Sequence, residues 1–292
     1  MCFVLATILL VASGRQNFNS RMQCWEPNPP EQFFDDLAVL PPHPRLRLND
    51  SRIAVLNQTI NQDATAQAYF RGLVQVGESL LGKKVVNCSK GADMLGVART
   101  VLSREYSLGL LWRLTGDTRF ASRAVDELLQ VTTNCSSWDP FGLVLAEMTH
   151  AVGIGFDWLY DYLSASQKNT IIAGVTRLGF NEALVQYADK VFWTNCTFNW
   201  GVVTNGGLMV GALAFLDEPT ASGNASAVFA RAAVGVRCPF QSFSPHGAWH
   251  EGPMYWQYVA EYAQALTVSV VWNAISHIYS HIWSPLLLMR MA

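Results

Sequence analysis

Charge is scarce in this sequence. Only 14% of its 292 residues are Asp, Glu, Lys or Arg, the net charge is -2, and no Lys/Arg-rich run occurs. That excludes a nucleic-acid partner held by bulk electrostatics, while leaving room for a local basic groove that takes an acidic polymer. There is no CxxC pair and no His at zinc-finger spacing from a Cys, so no metal site is expected, and no cofactor. Period-two alternation of apolar and polar residues, the mark of a half-buried strand, is also missing. No stable membrane span is expected, because the apolar run at the N-terminus (residues 3–12) is too short to cross a bilayer.

Half of the residues are apolar, enough to bury a sizeable core. The N-terminal run ends in small residues and reads as a secretory signal over residues 1–14, although it lacks a basic leader. Six Asn-X-Ser/Thr patterns, at Asn49, Asn57, Asn87, Asn134, Asn195 and Asn224, point the same way as glycosylation sites. Beyond Cys2, five cysteines remain, so at most two disulfides and one leftover thiol are expected in an oxidising compartment. Three of these cysteines sit inside the glycosylation patterns, where pairing and modification compete.

Residues 23–48 are proline-rich and read as an extended arm. From there to about residue 272, apolar residues recur at three- and four-residue spacing, which predicts helices over 64–81, 93–115, 118–132, 143–163, 165–188, 205–215, 225–236 and 254–272. Leu114-Thr-Gly-Asp117 ends one helix and caps the next, and Ser164 with Gln167 forms a capping box. Several helices are apolar on two faces. They must be covered on both, which favours stacked helical hairpins, an all-α solenoid or toroid, over a plain bundle.

The richest stretch chemically is Ser244-Pro-His-Gly-Ala-Trp-His-Glu-Gly-Pro-Met-Tyr-Trp-Gln-Tyr258. Gly252-Pro253 predicts a helix start, which puts Tyr255 in the first turn at the positive end of the helix dipole.

Five ordered blocks resemble the helical domain of the heparinase II/III-like polysaccharide lyases. They are His43-Pro-Arg-Leu46; Trp112-Arg-Leu-Thr-Gly-Asp117 with Ala124-Val-Asp-Glu-Leu-Leu129; Ala146-Glu-Met-Thr-His-Ala-Val152 running into Phe156-Asp-Trp-Leu-Tyr-Asp-Tyr-Leu163; Asn199-Trp200 with Asn205-Gly-Gly-Leu208; and Gly247-Ala-Trp-His-Glu-Gly-Pro-Met-Tyr255. The resemblance covers roughly residues 43–270. It implies an incomplete (α/α) toroid over residues 49–272, followed in the family by an antiparallel β-sandwich, and action on acidic polysaccharides. Residues 273–292 resemble nothing in the family, and the reading is of a chain truncated before the sandwich.

Lyases of this kind take the C5 proton of a uronate and expel the C4 oxygen, which requires that the neighbouring carboxylate be neutralised. The resemblance assigns Tyr255 as base, acid or both, and Asn199 as a carboxylate partner. Trp200 stands where several relatives carry His, so His250 is the candidate for the missing positive charge. Glu251 reads either as a donor to the substrate or as an anchor for the turn. Asn205 with Gly206-Gly207 reads as a helix start for an anionic group, or as close packing. Trp200, Trp249, Trp256, Tyr258 and His150 are candidate lining residues, and His246 stands where relatives often have Asp. Three functions follow: a uronate-cleaving lyase, a uronyl 5-epimerase, or a non-catalytic glycan binder.

Overall fold

The computed structural model describes residues 40–89, 92–138, 142–243 and 247–272, with side chains to 269. The proposed signal, most of the proline-rich arm, the 273–292 tail, Ser244, Pro245 and His246 lie outside the described residues. What is described is all-helical, without a strand. The helices are α1 Asp50–Gln62, α2 Ala64–Leu81, α3 Met94–Thr115, α4 Thr118–Thr133, α5 Gly142–Trp158, α6 Ala165–Val175, α7 Asn181–Ala188, α8 Asn199–Leu213, α9 Ser222–Phe240 and α10 Pro253–Trp272.

Local signals place most of these boundaries. Gly116 adopts φ 70° behind α3, where only glycine is unstrained, and Asp117 caps α4 through the backbone N–H of Arg119. Ser164 and Gln167 form the reciprocal capping box that the sequence predicts. Three expectations need correction. Helix α1 is missing from the predicted set: its apolar stripe is weak and it buries no residue, but Asn49 caps it and Asp63 caps α2 one residue after it ends. The long helix expected over 165–188 is interrupted at Thr176–Phe180 by one π-helical turn, an inserted residue that periodicity does not reveal. Helix α8 begins at Asn199, six residues before the expected start.

Packing runs in sequence. Helix α5 lies between α3 and α8, and α8 in turn contacts α9 and α10, while α4 covers α3 and α6 covers α4. Every residue of α5 is buried, as are all but one of α8, so neither needs a polar face. They approach through small residues. A Cβ on Gly153 would meet the Cα of Gly211 at 2.6 Å, and one on Gly207 would meet the Ala146 carbonyl at 2.9 Å.

The described end of the arm is pinned to the C-terminal end of α5. Asp157, fully buried, accepts hydrogen bonds from the backbone N–H of Arg45 (2.9 Å) and Leu46 (2.8 Å) and contacts His43 Nδ1 at 2.5 Å. Trp158 Nε1 donates to the Leu46 carbonyl at 2.8 Å, and the Leu46 side chain is completely buried. A disulfide joins Cys88, in the segment before α3, to Cys135 just after α4. Cys196 is the free thiol among the described residues; burial pushes it up to about 11.

Glu105, on α3, is fully buried, and neither carboxylate oxygen has a hydrogen-bond partner. Burial, and then the neighbouring Glu127 carboxylate, hold it well above the usual carboxylate range, against the opposing pull of Arg123 and Arg104. Its proton is thus held more tightly in the folded chain than in the unfolded one. The resulting stability is complete below the ordinary carboxylate range and declines as pH rises above it. Urea unfolding at pH 5 and pH 8 should therefore show a larger loss of stability in the wild type than in Glu105→Gln, which stays neutral throughout. Packing gives a second expectation: Gly211→Val, which drives a branched side chain into the Thr149 backbone, should cost about 3 kcal/mol or more by the same assay.

Candidate active site

The N-terminus of α8 has no side-chain cap of its own; Phe198 occupies the cap position, and its side chain has no atom that can accept a backbone N–H. Its cap comes instead from a residue 52 positions away. Glu251 accepts the backbone N–H of Asn199 at 2.6 Å through one oxygen and the Asn199 side-chain amide at 2.7 Å through the other. Trp249 Nε1 donates to the same carboxylate at 2.9 Å. A carboxylate at the positive end of a helix dipole, holding three donors, ties the turn before α10 to the start of α8. The geometry is that of an anchor, and Glu251 spends both oxygens inside the protein.

Asn199 is thereby fixed but buried, at 4% exposure, with its amide nitrogen turned to Glu251. Two backbone glycines shape the turn that brings Glu251 there, Gly247 at φ 74° and Gly252 at φ 91°. Trp256 Nε1 donates to the Gly247 carbonyl at 2.9 Å, which closes the turn against the first turns of α10. Tyr255 emerges from that first turn with 39% of its surface exposed. His250 is exposed beside the buried Trp249, ring centroids 5.2 Å apart.

Tyr255, Tyr258 and Tyr262 fall at i, i+3 and i+7 on one stripe of α10. The stripe runs from solvent into the core, where Tyr262 is 5% exposed. Tyr258 donates to Glu147 of α5 in a very short hydrogen bond and accepts one from Arg99 Nη2 of α3 at 3.2 Å. Arg99 Nε also bonds Glu147, and half of the Arg99 side chain is exposed. Burial, then the Glu147 charge, pushes the Tyr258 phenol upward, so it stays protonated as a donor. Burial likewise raises Glu147, opposed by Tyr258 and Arg99.

Deeper still, Arg47 donates to the Tyr106 hydroxyl at 3.0 Å, and that hydroxyl lies 2.8 Å from His150 Nε2. The other ring nitrogen, Nδ1, is buried without a hydrogen-bond partner. Burial, and then the Arg47 cation, lower His150 to about 3. It is a neutral core histidine, wedged edge-on against Tyr106 and Tyr262.

Asn205 requires a correction. It does not start a helix: it sits inside α8, completely buried, donating to the Gly201 carbonyl at 2.7 Å and accepting from the Tyr187 hydroxyl at 2.7 Å. Its side chain presses on Gly235 of α9 so closely that a Cβ there would clash. Gly207 serves the close approach of α8 to α5, so this stretch packs helices and presents no backbone to an anion. Trp200 is half-buried, its ring 5.0 Å from the exposed Phe192, which also stacks on Phe198 at 6.1 Å.

The residues that the sequence did not single out are Arg99, Glu147, Tyr106, Tyr262 and Arg47. Glu147 and His150 stand at i and i+3 on α5, a pairing visible in the sequence; the approach of Arg99 from α3 is not. One further group, His43, Asp217 and Glu218, brings possible ligand atoms within 4.8 Å of one another. Asp217 is held there by both oxygens on Arg45 Nη2, at 2.7 and 2.8 Å, and His43 Nδ1 is engaged by Asp157, so the arrangement is a charge network tying the arm to the end of α8. Among the described residues, no helix is long and apolar enough to cross a membrane. No protein-family model matches the chain, and no curated protein does.

Removing the Glu251 carboxylate leaves three donors without their acceptor, two of them at a helix start. Glu251→Ala should lower stability by about 2–4 kcal/mol in urea unfolding. Tyr255→Phe, at a half-open position with no internal hydrogen bond to lose, should leave it within about 0.5 kcal/mol of wild type.

Proposed function

We propose that the chain is a secreted enzyme acting on a uronate-containing acidic polysaccharide, with Tyr255 moving the C5 proton. The observation that carries this reading is the tyrosine stripe of α10: an exposed phenol in the first turn, with a half-exposed guanidinium, Arg99, hydrogen-bonded one turn further along. The resemblance of five ordered blocks to the heparinase II/III-like lyases supports the same reaction. The successive packing of α3, α5, α8 and α10, with α4 and α9 covering them, is what an incomplete (α/α) toroid requires. The glycosylation patterns and the disulfide support a secretory route.

In the proposed step, the Tyr255 oxygen, deprotonated, takes the C5 proton of the uronate. The electron pair left at C5 forms the C4–C5 double bond as the C4–O bond breaks, and the phenol returns its proton to the departing oxygen. The carboxylate must be neutralised for C5 to yield its proton. Trp200 supplies no charge, and Asn199 is committed to Glu251. Arg99 is the cation with a free face here: Nε and Nη2 are engaged by Glu147 and Tyr258, and half the side chain meets solvent. His250 is the second exposed candidate.

The test is to incubate the purified chain with alginate and with glycosaminoglycans while following the ultraviolet absorbance of the unsaturated uronate. Activity should fall by about 10²–10⁴-fold in Tyr255→Phe and by about 10²–10³-fold in Arg99→Gln, with both variants folded. Solvent deuterium entering C5 without chain cleavage would assign the epimerase reaction instead. Polymer binding equal in wild type and Tyr255→Phe, with no turnover of any polymer in either, would reduce the site to a glycan binder, for which the Phe192–Trp200 aromatic pair is suited.

A further inference from the structure

The disulfide joins two glycosylation patterns by their middle residues. Cys88 belongs to Asn87-Cys-Ser and Cys135 to Asn134-Cys-Ser, and the two Cα atoms stand 5.0 Å apart. Both asparagines are exposed and both cysteines buried, so the two acceptors flank one bridge at the surface. Their backbones differ. Asn87 lies in an irregular segment, with its side-chain oxygen bonded to the Ser89 backbone N–H at 2.9 Å. Asn134 caps α4 in a right-handed helical conformation, with its N–H bonded to the Gln130 carbonyl and its amide donating to Gln130 Oε1 at 2.8 Å. Gln130 also donates to the Val86 carbonyl at 3.0 Å, so closing the bridge and capping the helix are one packing event.

We infer that glycosylation at Asn134 and closure of Cys88–Cys135 exclude each other, so that the chain carries its glycan at Asn87 and leaves Asn134 bare. This rests on the secretory route proposed above and not on the lyase chemistry. The order of synthesis decides the outcome. The cysteines are separated by 47 residues, which gives the Asn87 site a lead of about 2–10 s at ordinary elongation rates before its cysteine has a partner. Asn134 emerges together with Cys135, when the Cys88 thiol is already waiting. In modification, Asn Nδ2 exchanges one hydrogen for a bond to the sugar anomeric carbon, and a lipid diphosphate leaves as the oligosaccharide donor's second product. In closure, the two thiols lose two protons and two electrons to a protein disulfide, which leaves as a dithiol. Once the bridge is closed, Asn134 is held in a helix cap and the extended conformation needed for transfer is lost.

The test is site occupancy by peptide mass spectrometry of the denatured full chain, secreted and cell-associated together, so that folding of the variants does not matter. Cys88→Ala leaves the Asn134 pattern untouched; its occupancy should rise from a minor fraction to match that of Asn87. Asn195-Cys-Thr, whose Cys196 is unpaired, is the internal control and should not change. Asn87→Gln should leave Asn134 bare. Equal Asn134 occupancy in wild type and Cys88→Ala overturns the inference, as does a rise in Asn87→Gln alone, which would make the neighbouring glycan the obstacle. A chain without glycan at any of the six positions removes the secretory route and the inference with it.

Discussion

The approach of α5 to α8 through glycine sets the position of nearly everything else. With Gly153 against Gly211 and Gly207 against the Ala146 carbonyl, the two backbones meet with no side chain between them. Helices that close cannot slide without collision, so the residues on their remaining faces are held in register. Helix α5 then points Glu147 and His150 toward α3 and α10, and α8 offers its first N–H groups to the turn before α10. Small residues cost conformational entropy in a helix, and here that cost of about 1 kcal/mol for each glycine is offset by dispersion contacts along two helices of which all residues but Trp200 are buried.

Upon that frame, two carboxylates do the long-range tying. Asp157 gathers the arm onto the end of α5, and Glu251 gathers the turn before α10 onto the start of α8. Asp157 accepts two backbone N–H groups and the half-buried Glu251 accepts one, together with two side-chain donors, which offsets the desolvation of each carboxylate. Glu105 is the contrast: buried with no partner, it is tolerated by keeping its proton. The site is a consequence of these ties. Tyr255 is exposed because Gly252 and Pro253 start α10 just beneath it, and Arg99 reaches Tyr258 because α3 packs on the other side of α5.

Polar and aromatic residues in and around the candidate site therefore divide into those that build and those that remain exposed. Glu251, Trp249, Asn199 and Asn205 are consumed by the fold, as are His150 and Tyr106. Tyr255, His250, Arg99 and Trp200 keep surface facing solvent. A motif of dense aromatic and ionisable residues is thus mostly framework, and only a few of its members are left uncovered.

How much of this was legible depends on the range of the interaction. The helix positions other than α1 and the break between α6 and α7, the capping box at Ser164, the turn at Gly116 and the start of α10 at Gly252-Pro253 rest on contacts within a few residues, and the sequence by itself determined them. The same holds for the all-helical class, since apolar spacing is a local property. The early start of α8 was not legible, because its cap is Glu251, far away in the chain. Nor was the burial of Asn205, whose partners come from Tyr187 and the neighbouring α9, or the placement of Arg99 beside Tyr258, 159 residues apart. Local physics sets which segments coil into helices; only tertiary packing, through groups that meet across long loops, decided which polar side chains became structure and which were left exposed.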